Sequence, residues 1–199
     1  MKGSVNSNTI GLAVCGGKSS RMGVDKSTLE YFGKPQCYHV YDSLLPFCEK
    51  AFISCNRLQS DTIKPGYTFI TDLPQYEYIG PMAAVLSAFT EFPDKNVLLV
   101  GCDYPFLTID ELQQFSTYCK NGNPVGFYNA VAELYEPLLA FYPYHSFTGL
   151  KKMFDEKKYA LQHYLKKSDA AKYLPLNKKS MQSIDTEADF IKAFNSINN

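Results

Sequence analysis

The chain has 199 residues, 45% of them apolar, and its 20 basic and 20 acidic side chains cancel to a formal net charge of zero. That length suits one domain with a sizeable core, and the charge balance excludes a general nucleic-acid binder of the basic kind. No apolar run approaches the ~20 residues of a membrane span. Residues 1–8 lack the apolar core of a signal peptide, so they are expected as a short disordered lead-in to a single cytoplasmic domain over 1–199.

In chain order, Ile10 to Cys15 is a continuous apolar run of strand length, and Cys37, Tyr41, Leu44, Leu45 and Cys48 recur at helical spacing. Ala51 to Cys55 reads as a second strand and Tyr67 to Thr71 as a third. Met82, Val85, Leu86 and Phe89 mark one face of a helix opened by Gly80-Pro81, where proline's missing N–H is harmless. Asn96 to Gly101 holds the buried-type run Val97-Leu98-Leu99-Val100. Thr108 and Glu111 form a capping-box signature before Leu112 and Phe115. Further on, Val125 to Ala132 and Leu138 to Tyr142 read as strands, Tyr144 to Glu156 and Ala160 to Lys166 as helices, and Ser180 to Ile184 as a last strand. Thr186 is placed to cap a final helix with Phe190, Ile191, Phe194 and Ile197 on its inner face. Strands of continuous rather than alternating hydrophobicity, interleaved with helices, predict an α/β fold. The expected architecture is a Rossmann-like three-layer sandwich around a mostly parallel sheet.

The six cysteines, at 15, 37, 48, 55, 102 and 119, include no C-x-x-C pair, so they are read as free, buried small hydrophobes in a reducing compartment. His39, His145 and His163 have no matching partners for nucleophilic catalysis and are read as ordinary surface or core residues.

The chemistry concentrates after the first strand. Leu12-Ala13-Val14-Cys15 breaks into Gly16-Gly17, and Lys18, Arg21, Gly23 and Lys26 follow in one loop. Glycines let backbone N–H groups approach an anion and the cations neutralise it, the chemistry of a bound polyphosphate. The spacing is not that of a P-loop, because position 12 is Leu rather than Gly, nor that of the dinucleotide fingerprint, because the glycines fall at 16, 17 and 23. A Gly-Gly turn with surface charges is the plainer alternative, and Arg21, Gly23 and Lys26 after a buried-type strand weigh against it.

In a parallel sheet ligands bind beyond the carboxyl ends of the strands. The residues there are the glycine loop, Asn56-Arg57, Asp72 and Gly101-Cys102-Asp103-Tyr104-Pro105. A triphosphate brings Mg²⁺, which prefers one or two carboxylates with phosphate oxygens and water. Asp103, held by the most apolar strand, is the metal candidate, with a turn before Pro105 as its alternative role. Asp72 before Leu73-Pro74 is open between site and turn, and Gly80-Pro81 between a ligand-contacting turn and a plain helix start. The chemistry implied is nucleotidyl transfer at an α-phosphate, with Arg21 and Lys26 stabilising phosphate charge and Asp103 the metal. Glu136-Pro137 could line an acceptor pocket.

The stretch from Leu12 to Lys26 resembles the signature L-A-G-G-x-S-x-R-M-G-x-D-K of molybdenum cofactor guanylyltransferases, within the nucleoside-triphosphate transferase superfamily. Gly33-Lys34-Pro35, Ile53-Ser54-Cys55-Asn56, Asp72, Gly80-Pro81-Met82-Ala83-Ala84-Val85-Leu86, Cys102-Asp103-Tyr104-Pro105-Phe106-Leu107 and Glu136-Pro137-Leu138 also match. The likeness is dense through Leu107 and thin beyond Ala140. The resemblance implies transfer of GMP from GTP to molybdenum–molybdopterin, giving the guanine dinucleotide cofactor and pyrophosphate. It implies Mg²⁺ on Asp103, and Arg21, Lys26 and Asp103 as catalytic residues. Nucleotide contacts are expected from Leu12, Ala13, Val14, Gly16, Gly17, Lys26, Asn56, Asp72, Gly80 and Pro81. The expected partners are GTP, the molybdopterin-type cofactor and the cofactor-biosynthesis proteins or molybdoenzymes that exchange it, with no nucleic acid and no membrane. Ser183 to Asp189 departs from the family's Asn-x-Asn-Thr-Pro-x-Asp segment, which handles the pterin. Three alternatives stay open: a cytidylyltransferase, a sugar-phosphate nucleotidyltransferase and a non-catalytic molybdenum cofactor-binding protein. Asp25-Lys26 and Cys102-Asp103 favour guanylyl over cytidylyl transfer.

Overall fold

The computed structural model describes residues 6–15 and 25–198. Seven strands form one sheet in the order β3-β2-β1-β4-β6-β5-β7. They are β1 Asn6–Val14, β2 Cys48–Cys55, β3 Phe69–Thr71, β4 Asn96–Gly101, β5 Val125–Asn129, β6 Leu134–Tyr142 and β7 Ala171–Tyr173. β1 pairs in parallel with β2 and with β4, β2 with β3, and β5 with β7; β6 alone runs against its neighbours β4 and β5. The helices are α1 Gln36–Leu44, α2 Arg57–Ser60, α3 Pro81–Glu91, α4 Ile109–Tyr118, α5 Ser146–Asp155, α6 Leu161–Lys167 and α7 Glu187–Asn198.

Strand periodicity divides the core. Ile10, Leu12 and Val14 join one buried cluster with Val97, Leu99 and the α3 residues Met82, Val85, Leu86 and Phe89. Ala13, Cys15, Leu98 and Val100 join the other, with Tyr38, Tyr41 and Leu44 of α1 and Leu112 and Phe115 of α4. Successive side chains point to opposite sheet faces, and both faces are covered, which is why these strands read as unbroken apolar runs. The three-layer α/β expectation is met. At Gly80, φ is +67°, a conformation L side chains avoid, and Pro81 then occupies the first helical position of α3.

Several boundaries differ from the sequence reading. β1 begins at Asn6, so residues 6–8 belong to a strand rather than a lead-in; residues 1–5 lie outside those described. α1 stops at Leu44: Leu45 is exposed in a 3-10 turn and Cys48 opens β2. β5 ends at Asn129 because that side chain accepts hydrogen bonds from the backbone N–H groups of Val131 and Ala132 and turns the chain. Ser180 to Ile184 is not a strand. Lys178–Met181 is a 3-10 turn, and the short strand β7 occupies the sheet edge beside β5. Met181 packs against one apolar cluster and Ile184 lies in another. Thr186 and Asp189 cap the last helix reciprocally as expected. Its inner face, however, is Phe190, Ala193 and Ile197 against Tyr31, Leu29, Phe106 and Ile184, with Ile191 and Phe194 left exposed.

The capping box at Thr108 is half realised. The Thr108 hydroxyl accepts from the Glu111 N–H, but the Glu111 carboxylate turns inward. There it accepts from the Tyr173 hydroxyl at 2.6 Å, the Ser180 hydroxyl at 3.1 Å and the N–H groups of Leu176 and Asn177. A buried carboxylate with four donors is well compensated. It fastens the segment after β7 to α4.

Candidate functional site

The carboxyl ends of β1, β2, β3 and β4 lie at one edge of the sheet, and so does the amino end of the reversed strand β6. Gly16, Gly17 and Arg21 lie outside the described residues. Leu12 and Ala13 are fully buried, paired with β2 on one side and β4 on the other. They and Val14 hold the strand end from which the loop leaves.

The Asp25 carboxylate caps a 3-10 turn at Lys26–Thr28 through the Ser27 N–H and hydroxyl. Its other oxygen accepts from the Gln59 side-chain amide. Gln59 in turn shares a capping box with Asn56 at the start of α2. Asn56 is therefore the joint that ties the end of β2 to Asp25. Gln59, which the sequence reading passed over, is the arm of that joint. This bracing fixes the backbone on which Lys26 stands.

Lys26 Nζ lies 2.6 Å from Asp185 Oδ1, a contact between residues 159 apart in sequence. Asp103 lies within electrostatic reach of both: burial raises its carboxyl above the ordinary range, Lys26 opposes that and Asp185 adds to it. Asp103 Oδ1 is buried and has no hydrogen-bond partner among the described residues. A buried acceptor left unmatched is costly. Gly101 makes the placement possible, since a Cβ there would sit 2.6 Å from Asp103 Oδ1 and 3.1 Å from the Tyr104 ring. The Asp103 carbonyl accepts from the Ile184 N–H at 2.9 Å, which seats the C-terminal segment beside the site. Asp185 was not singled out in the sequence, and Gly101 was named there only as part of the stretch after β4. The departure at Ser183 to Asp189 was the one signal that pointed to the first.

Asp72 follows β3 and is partly buried, and burial first, then Glu77, pushes its carboxyl up to about 6. Gly80-Pro81 starts α3 at the same edge. The structure thus brings Lys26, Asp103 and Asp185 into one group, with Asn56 acting through Gln59 and Asp25.

Further along the edge lies a cleft of about 590 Å³. Its walls come from the β5–β6 turn, Tyr128, Tyr135, Gln162 of α6 and the segment after β7 with Lys178 and Gln182. Glu136 stands on its lining and also meets the Tyr104 hydroxyl; burial raises its carboxyl and that hydrogen bond opposes the shift. The Tyr104–Glu136 contact joins the cleft to the Lys26 group.

The cysteine thiols supply no nucleophile. All six are free and buried, and the Cys15 and Cys37 thiols, hydrogen-bonded to Cys102 and Cys15 in turn, are held far above the thiolate range. No group of three or more metal-type ligands occurs among the described residues. No helix among them is long and apolar enough to cross a membrane.

Residues 11–171 match the model of the MobA-like NTP transferase domain. The chain belongs to that family. A molybdenum cofactor guanylyltransferase of Haemophilus influenzae is 27% identical over 154 residues, covering 76% of this chain and 73% of that protein. One from Shewanella sediminis is 31% identical over 111 residues, 55% of this chain and 56% of the relative. A bifunctional molybdenum cofactor biosynthesis protein of Synechocystis is 32% identical over 136 residues, 64% of this chain and 39% of the relative. The chain thus spans only about half or less of the length of the last two. Among solved structures, the molybdopterin-guanine dinucleotide biosynthesis protein A of Archaeoglobus fulgidus superposes with a TM-score of 0.76 at 19% identity, covering 94% of this chain and 98% of that one. A 2-C-methyl-D-erythritol 4-phosphate cytidylyltransferase of Thermus thermophilus gives 0.68 at 9% identity, covering 97% and 100%. At such identities these last two establish the common fold of the MobA-like chain. They carry nothing about its donor base or acceptor.

Proposed function

We propose that this chain transfers GMP from GTP to a molybdenum–molybdopterin cofactor, releasing pyrophosphate. The observation that carries the reading is the buried, unmatched Asp103 oxygen on a carboxylate within electrostatic reach of the Lys26 ammonium. A phosphate oxygen of the acceptor attacks the α-phosphorus of GTP. The bond to the bridging oxygen of the β-phosphate breaks, and pyrophosphate leaves with that electron pair. Lys26 and Arg21 neutralise phosphate charge as it builds, where a preplaced cation is most effective. Gly16, Gly17 and Val14 border the triphosphate, with Asn56, Asp72, Gly80 and Pro81 at the neighbouring strand ends. Asp103 fits Mg²⁺, because one rigid carboxylate leaves the remaining positions to phosphate and water. When bound, the ion offsets charge on the α-phosphate and the attacking oxygen.

In this reading the acceptor occupies the neighbouring cleft, whose lining includes Tyr128 and Tyr135 and the amides of Gln162 and Gln182. Six buried free thiols suit a single cytoplasmic domain. Cofactor-biosynthesis proteins or recipient molybdoenzymes are its protein partners in this reading.

The test is a nucleotide screen by thermal shift, with GTP, CTP, ATP and UTP each supplied with Mg²⁺. A nucleotide at a hundred times its Kd stabilises the fold by about 2.7 kcal/mol. The GTP shift is expected to exceed the others, and pyrophosphate release is expected once the cofactor is added. An equal or larger shift with CTP at matched concentration rejects guanylyl transfer.

A further inference from the structure

Lys26 does not wait free for a phosphate. Its ammonium is 2.6 Å from Asp185, and its side chain is 16% exposed against 51% for its partner. Asp103 lies within electrostatic reach of the same cation, and the two carboxylates raise each other's energy. The contact between Lys26 and Asp185 links residues 159 apart in sequence. Its Asp185 end sits beside Ile184, which is pinned to the Asp103 carbonyl and sealed into the small core formed with Tyr31 and Ala193. Asp185 is thus delivered to Lys26 by a well-fixed backbone, and Ser183 also bonds its second oxygen.

We infer that Asp185 is a positioning residue that holds Lys26 in the nucleotide-free protein and yields it to the triphosphate during binding. The inference rests on Lys26 meeting the phosphates. The consequence is a coupling between nucleotide and cation. Once Lys26 turns to the phosphates, its pair with Asp185 opens and its charge moves away from Asp103, and a cation arriving with the nucleotide offsets that change. Binding without a divalent ion is therefore handicapped by the broken pair and by two carboxylates left near an anion.

The experiment titrates GTP by calorimetry in EDTA, with no divalent ion, into the wild-type chain, Asp185→Asn, Lys26→Met and the double variant. Asp185 is half exposed, so the neutral variant is expected to fold, which a melting curve checks; Asp185→Ala is the second charge-removing variant. Asp185→Asn is expected to bind metal-free GTP about threefold to fivefold more tightly, the range of an exposed ion pair. Asp185→Glu, which keeps the charge, is expected to return wild-type affinity. In the Lys26→Met background the gain is expected to vanish. Unchanged or weaker metal-free affinity in both charge-removing variants overturns the inference. So does a full gain persisting without Lys26, which assigns the effect to general repulsion of the phosphates. Lys26→Met binding GTP like wild type removes the phosphate contact itself, a failure distinguishable from that of Asp185.

Discussion

The two ends of the carboxyl edge differ in kind. The pole at Lys26, Asp103 and Asp185 is dense in charge, is built from residues scattered between 26 and 185, and is braced by Asn56, Gln59 and Asp25. The pole at the cleft has volume and aromatic walls but few charges. One is suited to gripping phosphates, the other to accepting a ring. The proposed reaction between two unlike substrates needs both, and it puts the reacting phosphates where Tyr104 and Glu136 join the poles.

The largest effect that would break this division is at Asp103. Asp103→Asn keeps the size and turn geometry but removes the charge that suits a metal. Magnesium-dependent pyrophosphate release is expected to fall by about 10²–10³, with a melting curve within a degree or two of wild type. Normal turnover in a folded variant would move the metal assignment to another carboxylate. Lys26→Ala belongs to the same pole and is expected to cost turnover on the same scale without weakening ligand binding in the cleft.

The cleft depends instead on Glu111, whose carboxylate holds the segment after β7 from behind. Glu111→Ala leaves several donors unmatched and is expected to destabilise the fold by about 3 kcal/mol in urea titrations. A loss below half that figure would make the cleft wall self-supporting. Within the cleft, Gln162→Leu is expected to raise KM for the acceptor about tenfold while KM for GTP holds, the ratio of one lost hydrogen bond. Equal changes in both constants would erase the distinction between the poles.

The smallest effect concerns Asp72. Its carboxyl is raised from 3.8 to about 6 by burial and by Glu77. Protonation therefore favours the folded state. The stabilising contribution is complete below about pH 4 and is lost as pH rises through about 6. Asp72→Asn is expected to melt higher than wild type at pH 7.5 and to match it at pH 4, as a pH series of melting curves will show. A difference independent of pH would remove the charge of Asp72 from the explanation.

The apolar runs of β1, β2 and β4 were legible because strands covered on both faces carry no polar interruptions, and Gly80-Pro81 and Thr186 announced their helices by local chemistry alone. The place of Asp103 at the sheet edge was legible for the same reason, as the first carboxylate after the most apolar strand. The sequence by itself therefore determined the layering, the parallel half of the sheet and which edge carries charge, since these follow from periodicity and from the residues next to it. It could not show that Glu111 turns from its cap to a buried network or that Asn56 works through Gln59. Nor could it bring Asp185 to Lys26. Those are decided by contacts between residues distant along the chain, where a side chain's partner is set by packing and the demand to satisfy buried donors rather than by its neighbours in sequence.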